Sequence, residues 1–298
     1  MKRQRQCPVA RARVITNTMK RILSLGAGVQ SSTLLLMSIS GALPRLDACV
    51  FADTQWEPRK VYEYLDWLTG QATGAGIPIY RDTKGDIRAD AMRSRMNTRD
   101  YKAISGGRWA SMPLYTRDRE TGKLGQIKRQ CTKEYKIQVI ERVIRRRILG
   151  LAKGEHVRAK AGPVVEQWFG ISTDEMRRAR LSTRLWLINR YPLISDIPMT
   201  RADCLAWLQR EGYPSPARSA CIGCPFKSNK EWRHLREDSP EEWAEAVALD
   251  KAIRIGGGMR GDTFLHRSCI PLGEVDLSTA EDRGQLNWLN ECTGACGV

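Results

Sequence analysis

Residues 21–33 read Arg21-Ile-Leu-Ser-Leu-Gly-Ala-Gly-Val-Gln-Ser-Ser-Thr33, and the fold is decided here. A short apolar run enters a loop carrying Gly26 and Gly28, and Ser31-Ser-Thr-Leu-Leu-Leu-Met-Ser-Ile39 continues as a helix that opens on hydroxyl residues. Glycine lets the backbone turn tightly and approach an anion with no Cβ in the way. The helix behind it presents unpaired N–H groups and its positive dipole end. Ser31, Ser32 and Thr33 add hydroxyl donors. The Gly-Lys-Ser/Thr ending of a Walker loop is absent, and so is the third glycine of a dinucleotide fingerprint. Two readings stay open on these residues alone: a phosphate grip of another kind, or a glycine-rich turn with no ligand.

Working outward, Asp47-Ala-Cys-Val-Phe-Ala-Asp53 reads as a second buried strand ending at an acidic residue. Residues 58–69 have helical spacing (Val61, Tyr64, Leu65, Leu68), and Ile77-Pro-Ile-Tyr80 is a third strand. Strand–helix alternation of this kind predicts an α/β fold, a Rossmann-like parallel sheet flanked by helices. Residues 1–18 lack apolar periodicity and read as a flexible basic arm. Residues 19–200 are then the nucleotide-binding domain, with the basic, weakly periodic stretch 84–128 as an insertion or substrate loop. Within that domain, 133–149 is a basic amphipathic helix, and 164–171 is a strand leading to the helix start Ser172-Thr-Asp-Glu175. Residues 201–298 form a C-terminal helical region with a Cys-x-x-Cys segment and a cysteine-bearing tail, and helices are expected over 200–211 and 240–253.

The chain has 298 residues and a formal net charge of +16, from 49 Lys and Arg against 33 Asp and Glu. A positive field of this size attracts polyanions, and nucleic acid is the commonest of them; the alternative is charge that serves solubility or one small phosphorylated substrate. No apolar run approaches the ~20 residues of a membrane helix, and no apolar signal core follows the basic start, so the expected location is the cytoplasm. Nine cysteines there would not form a disulfide framework. Cys221-Ile-Gly-Cys224-Pro has the spacing of a metal or iron–sulfur knuckle, and Cys131 lies 221 − 131 = 90 positions earlier. Structural zinc and no metal at all are the competing readings. Cys7, Cys49 and Cys204 read as structural, small buried cysteines being common.

The loop at 24–33 resembles the phosphate loop of the PP-loop ATP pyrophosphatases and the phosphoadenosine-phosphosulfate (PAPS) reductases, adenine-nucleotide families of HUP type. Gln30 stands near where many PP-loop ATPases carry an acidic residue, which makes the reductase branch the nearer relative. Asp53-Thr54 and Gly170-Ile-Ser-Thr-Asp174-Glu-Met-Arg177-Arg178 fit the same family, and the resemblance spans roughly residues 20–235. It implies that Ser24, Gly26, Gly28, Gln30, Ser31, Ser32, Asp53, Gly170, Asp174 and Arg177 bind ATP, PAPS or adenylyl sulfate, with Mg2+ as a candidate companion ion.

In the adenylyl-sulfate branch a Cys-Cys pair and a distant Cys-x-x-Cys hold a [4Fe–4S] cluster, and this sequence looks like that arrangement with Gln130 in place of one cysteine. Cys131, Cys221 and Cys224 are then the implied ligands. The fourth position is Cys269, Cys292 or Cys296, or an open iron as in the iron–sulfur tRNA thiolases. Glu291-Cys292 resembles the reactive Glu-Cys-Gly end of PAPS reductases, with Thr293 replacing the glycine, and Cys296-Gly297 matches equally well. Both cysteines are therefore catalytic candidates. The resemblance and the charge together suggest an ATP-dependent sulfurtransferase acting on DNA or tRNA, served by a sulfur donor, and a homodimer is compatible with it. The alternatives are a reductase that makes sulfite with a thioredoxin-like reductant, and a non-catalytic nucleotide- or DNA-binding module.

Overall fold

In a computed structural model of the chain, the described residues are 19–93, 112–157, 162–254, 261–279 and 282. The basic arm, Tyr101 and Trp109 of the insertion, and the tail bearing Cys292 and Cys296 lie outside them. Three strands come first: β1 (Lys20–Ser24), β2 (Ala48–Asp53) and β3 (Ile79–Thr83), joined by helices α1 (Val29–Ser40) and α2 (Arg59–Gly74). After α3 (Ile87–Arg93), β4 (Tyr115–Asp118) and β5 (Leu124–Gln126), a long helix follows. It consists of a π-helical turn Thr132–Ile137, an α-helical segment α4 (Gln138–Val143) and a second π-helical turn Ile144–Ile148. Strands β6 (Val165–Phe169) and β7 (Leu187–Arg190) complete a five-stranded sheet of order β3-β2-β1-β6-β7, parallel throughout.

The alternation of side chains along each strand builds two cores from this sheet. Leu23, Cys49, Phe51 and Trp168 face α1 and α2 on one side. Ile22, Val50, Ala52 and Val165 face Val139, Ile140 and Val143 of α4 on the other. Strands buried on both faces read as continuous apolar runs, which is why β2 was visible as Ala-Cys-Val-Phe-Ala.

The helix α5 (Pro192–Ser195) leads to α6 (Arg201–Arg210), whose start is fixed by a capping box between Thr200 and Asp203. Helix α6 does not open a separate C-terminal region. Its Cys204, Trp207 and Leu208 belong to the first core. The remaining described residues form a second, mixed body rather than a helical one. There β4 pairs with β5 and with β8 (Gly261–Phe264) in an antiparallel sheet, beside α7 (Asn229–Asp238) and α8 (Pro240–Ala252). Packing among the described residues thus runs across residue 200. Residues 114–127 from the supposed insertion join a strand that lies over 100 positions later, and contacts of that range leave no local periodicity.

His266 is 3 % exposed in this second body, with Nδ1 2.8 Å from Ser268 Oγ and Nε2 3.2 Å from Asn229 Oδ1. Burial, and then the neighbouring Arg267, push its pKa from 6.5 down to about 4. The unfolded chain takes up this proton first on acidification, so the contribution is complete above pH 6.5 and is lost as pH falls toward 4. Denaturant unfolding across that window should show a stability slope for the parent chain, at most ~1.4 kcal/mol per pH unit from this group. His266→Gln should flatten it.

Candidate functional site

Strand β1 ends at Ser24, whose Oγ accepts a hydrogen bond from Gln167 Nε2 at 2.6 Å. The chain then turns through Ala27, at φ 55°. Gly26 N–H donates to Ser31 Oγ (3.2 Å), and that hydroxyl donates to Gly28 O (3.2 Å). Gly28 is the N-cap of α1 and no side chain caps the helix. A helix start of this kind carries free donors and partial positive charge. It lies at the carboxyl edge of the sheet between β1 and β6, where the strand order changes direction and α/β folds form their binding crevice.

The chain leaving β6 closes one wall. A Cβ on Gly170 would sit 2.6 Å from Ser31 N, so only glycine allows this approach. Gln30 Nε2 reaches across to Ser172 Oγ and Glu175 Oε2, both at 3.3 Å, tying α1 to the 3-10 turn Thr173–Arg178. Asp174 and Arg177 are on that turn and are exposed. Asp174 accepts from Arg201 N–H at the start of α6 (3.2 Å). Ser24, Gly26, Gly28, Gln30, Ser31 and Gly170 therefore share one neighbourhood. Ser32 does not present its hydroxyl there: it is wholly buried beside the Tyr64 hydroxyl, because the helix rotates it into the core. Asp53 is occupied structurally, its Oδ1 accepting from Gln55 N–H and Tyr62 Oη, each at 2.7 Å. Those bonds hold Gln55 at φ 58°.

The cysteine segment lies on top of this loop. A Cβ on Gly26 or Gly28 would meet Ser219, at 3.9 and 3.7 Å. Two residues later, Cys221 Sγ is 3.3 Å from Thr54 Oγ1 and 3.7 Å from Glu57 Oε1. Cys224 N–H donates to Cys221 O (3.0 Å), closing the knuckle, and Ile222 N–H donates to Trp56 O (2.9 Å). A Cβ on Gly223 would fall 2.2 Å from the Trp56 ring. Cys131 precedes the π-helical turn that carries Lys136. Glu57, 3.9 Å from the Lys136 ammonium, is the main influence raising that group's pKa, and the thiols of Cys221, Cys224 and Cys131 add to it. All three thiols thus lie within electrostatic reach of one ammonium. Burial pushes the Lys227 ammonium down, and the Cys224 and Cys221 thiols oppose that shift.

Several of these partners were not singled out from the sequence: Glu57, Lys136, Ser219, Lys227 and the Trp56 ring. Glu57 is 3 % exposed and its Oε2 has no hydrogen-bond partner among the described residues. Its position just past a central strand, beside the crest where ligands bind, was the available signal. Cys269 sits elsewhere, donating to Thr116 O (3.6 Å) with Arg117 and Arg254 as its charged neighbours. Cys49 and Cys204 are fully buried, and burial pushes the Cys204 thiol up to about 12. Among the described residues, no group of three or more His, Cys, Asp or Glu is disposed to hold a metal ion. No helix of the described residues is long and apolar enough to cross a membrane.

No protein-family model matches the chain, and no curated protein matches it in sequence.

Gly223→Ala should drive a methyl into the Trp56 ring and displace the knuckle. A loss of about 1–3 kcal/mol in unfolding free energy is expected, together with faster modification of Cys221 by a thiol reagent under native conditions. Unchanged stability and unchanged labelling would contradict the packing described.

Proposed function

We propose that this chain is an ATP-dependent iron–sulfur sulfurtransferase that modifies a nucleic acid. One observation supports the reading: the segment leading to Cys221 and Cys224 lies against the glycine loop through Ser219, so the start of α1 and the Cys-x-x-Cys segment are neighbours. The loop around Gly26 and Gly28 would hold the ATP phosphates on backbone N–H groups, with Ser31 contributing its hydroxyl. The resemblance of this loop to that of the PP-loop pyrophosphatases implies attack at the α-phosphorus. A substrate oxygen bonds to that phosphorus and pyrophosphate leaves. A sulfur nucleophile from the donor then bonds to the substrate, and AMP leaves with the oxygen.

The resemblance implies Cys131, Cys221 and Cys224 as the cluster's ligands, and thiolates are the soft ligands that iron–sulfur centres take, although the described residues do not set three such groups around one point. The Lys136 ammonium is within electrostatic reach of all three thiols and that of Lys227 of Cys221 and Cys224, positive charge that suits a thiolate-bound cluster. Such a cluster, held by three thiolates, would supply an iron site able to carry sulfur. Cys292 and Cys296 remain candidates for carrying sulfur as a persulfide. The nucleic-acid substrate rests on the net charge of +16, more than one small anion needs. A sulfite-producing reductase is the second reading, supported by Glu291-Cys292.

Anaerobically purified protein should show iron–sulfur absorption that Cys221→Ser abolishes while ATP binding persists. Exchange of pyrophosphate into ATP should require nucleic acid. Sulfite formed from adenylyl sulfate with a thioredoxin, and no such exchange, would replace the first reading with the second.

A further inference from the structure

The loop between the 3-10 turn and β7 combines two features that a folded surface rarely keeps together. Residues 176–195 contain Arg177, Arg178, Arg180, Arg184 and Arg190 and no acidic residue. In the same stretch Leu181 is 92 % exposed and Leu185 88 %, with Met176 also largely in water. A single exposed leucine needs no explanation, but a held pair among arginines does.

This loop is held. Arg184 grips Glu141 of α4 through two hydrogen bonds of 3.0 Å. Tyr191 Oη donates to Arg180 O (2.6 Å) and accepts from Arg180 N–H (2.8 Å), while Asn189 Nδ2 also donates to Arg180 O (2.9 Å). Trp186, between the two leucines and the strand, packs against the core. The loop therefore has access to apolar cover and uses it for the tryptophan, leaving Leu181 and Leu185 outside. Arg178 and Arg184 are paired with Glu175 and Glu141, but Arg177 and Arg180 have no carboxylate partner among the described residues.

The arginine end of the patch is linked to the start of α1. Glu175, which pairs Arg178, also takes the Gln30 hydrogen bond from the start of α1. Phe169, at the end of β6 next to Gly170, stacks on Tyr191 with ring centroids 5.7 Å apart. From the glycine loop outward, the Phe169–Tyr191 pair leads to Arg180, and the chain then runs along β7 so that Leu185 stands at its amino end.

We infer that this loop is the docking surface for an unpaired stretch of the nucleic-acid substrate, with Arg177 and Arg180 on phosphates and Leu181 and Leu185 against base faces. The inference rests on the nucleic-acid reading above. Unpaired bases offer apolar faces that a duplex hides, so the leucines select for single strand, while the arginines supply affinity without regard to sequence. The 181–185 loop is not an amphipathic helix, which makes an anionic membrane surface a poorer match.

The experiment is fluorescence anisotropy of the full chain with labelled single-stranded and duplex oligonucleotides over a range of salt, alongside ATP binding. Leu181→Ser/Leu185→Ser should weaken single-strand binding by about tenfold, the scale of a few lost apolar contacts. ATP affinity and the salt slope should not change. Arg180→Gln should lower the slope of log K against log salt by about one. Single-strand binding that both variants retain in full would overturn the surface and leave the nucleic-acid reading standing. A parent chain that binds no oligonucleotide would overturn both. Binding to vesicles of anionic lipid in place of oligonucleotide, or a dimer that the leucine variant dissociates, would assign the patch to a membrane or to a second copy and overturn the inference.

Discussion

Trp56 stands in the loop that leaves β2, with its ring against Gly223, its carbonyl on Ile222 N–H and its indole N–H on Glu245 of α8 at 2.9 Å. Arg88 lies over the same ring at 5.9 Å. One side chain thus ties the carboxyl edge of the parallel sheet to the cysteine knuckle and to the second body. The contact with Gly223 admits no Cβ, so the knuckle has one position relative to the sheet. That Ser219 lies against the glycine loop and Cys221 against Thr54 follows from that constraint.

The electrostatics of the crevice follow from the same packing. Bringing β2's exit under the knuckle buries Glu57 beside Cys221, and a buried carboxylate needs an opposite charge nearby. Lys136 supplies it from a π-helical turn, a rare geometry that places extra backbone where a regular helix would not reach. Lys84 does the same for the neighbouring buried Glu134, at 2.5 Å. The basic excess of the chain is therefore unevenly spread: part neutralises carboxylates at the seam between the bodies, and part is left outward on the arginine loop before β7.

The parallel sheet was legible because buried strands and crossover helices each carry a local period. Residues 48–53 and the helix expected over 200–211 show this directly. A glycine turn entering a helix was legible for the same reason, although the helix starts at Val29, two residues before the expected Ser31. The second body was not legible, because β4 and β8 are short strands from distant segments whose partners no local pattern names. The inward turn of Ser32 was hidden too, as three hydroxyl residues in a row look alike until the helix rotates each onto a different face.

The sequence by itself determined an α/β chain with a glycine turn before a helix, a Cys-x-x-Cys segment and a strong positive charge, because each is a property of neighbouring residues. Tertiary structure alone decided that Ser219 lies against that turn, that Cys131 shares an ammonium with Cys221, 90 positions away (221 − 131), and that Glu57 is buried beside Cys221. The physical reason is that these are packing relations between loops at one edge of a sheet. They depend on which strand lies beside which, and on a glycine at 223 small enough to let a tryptophan in.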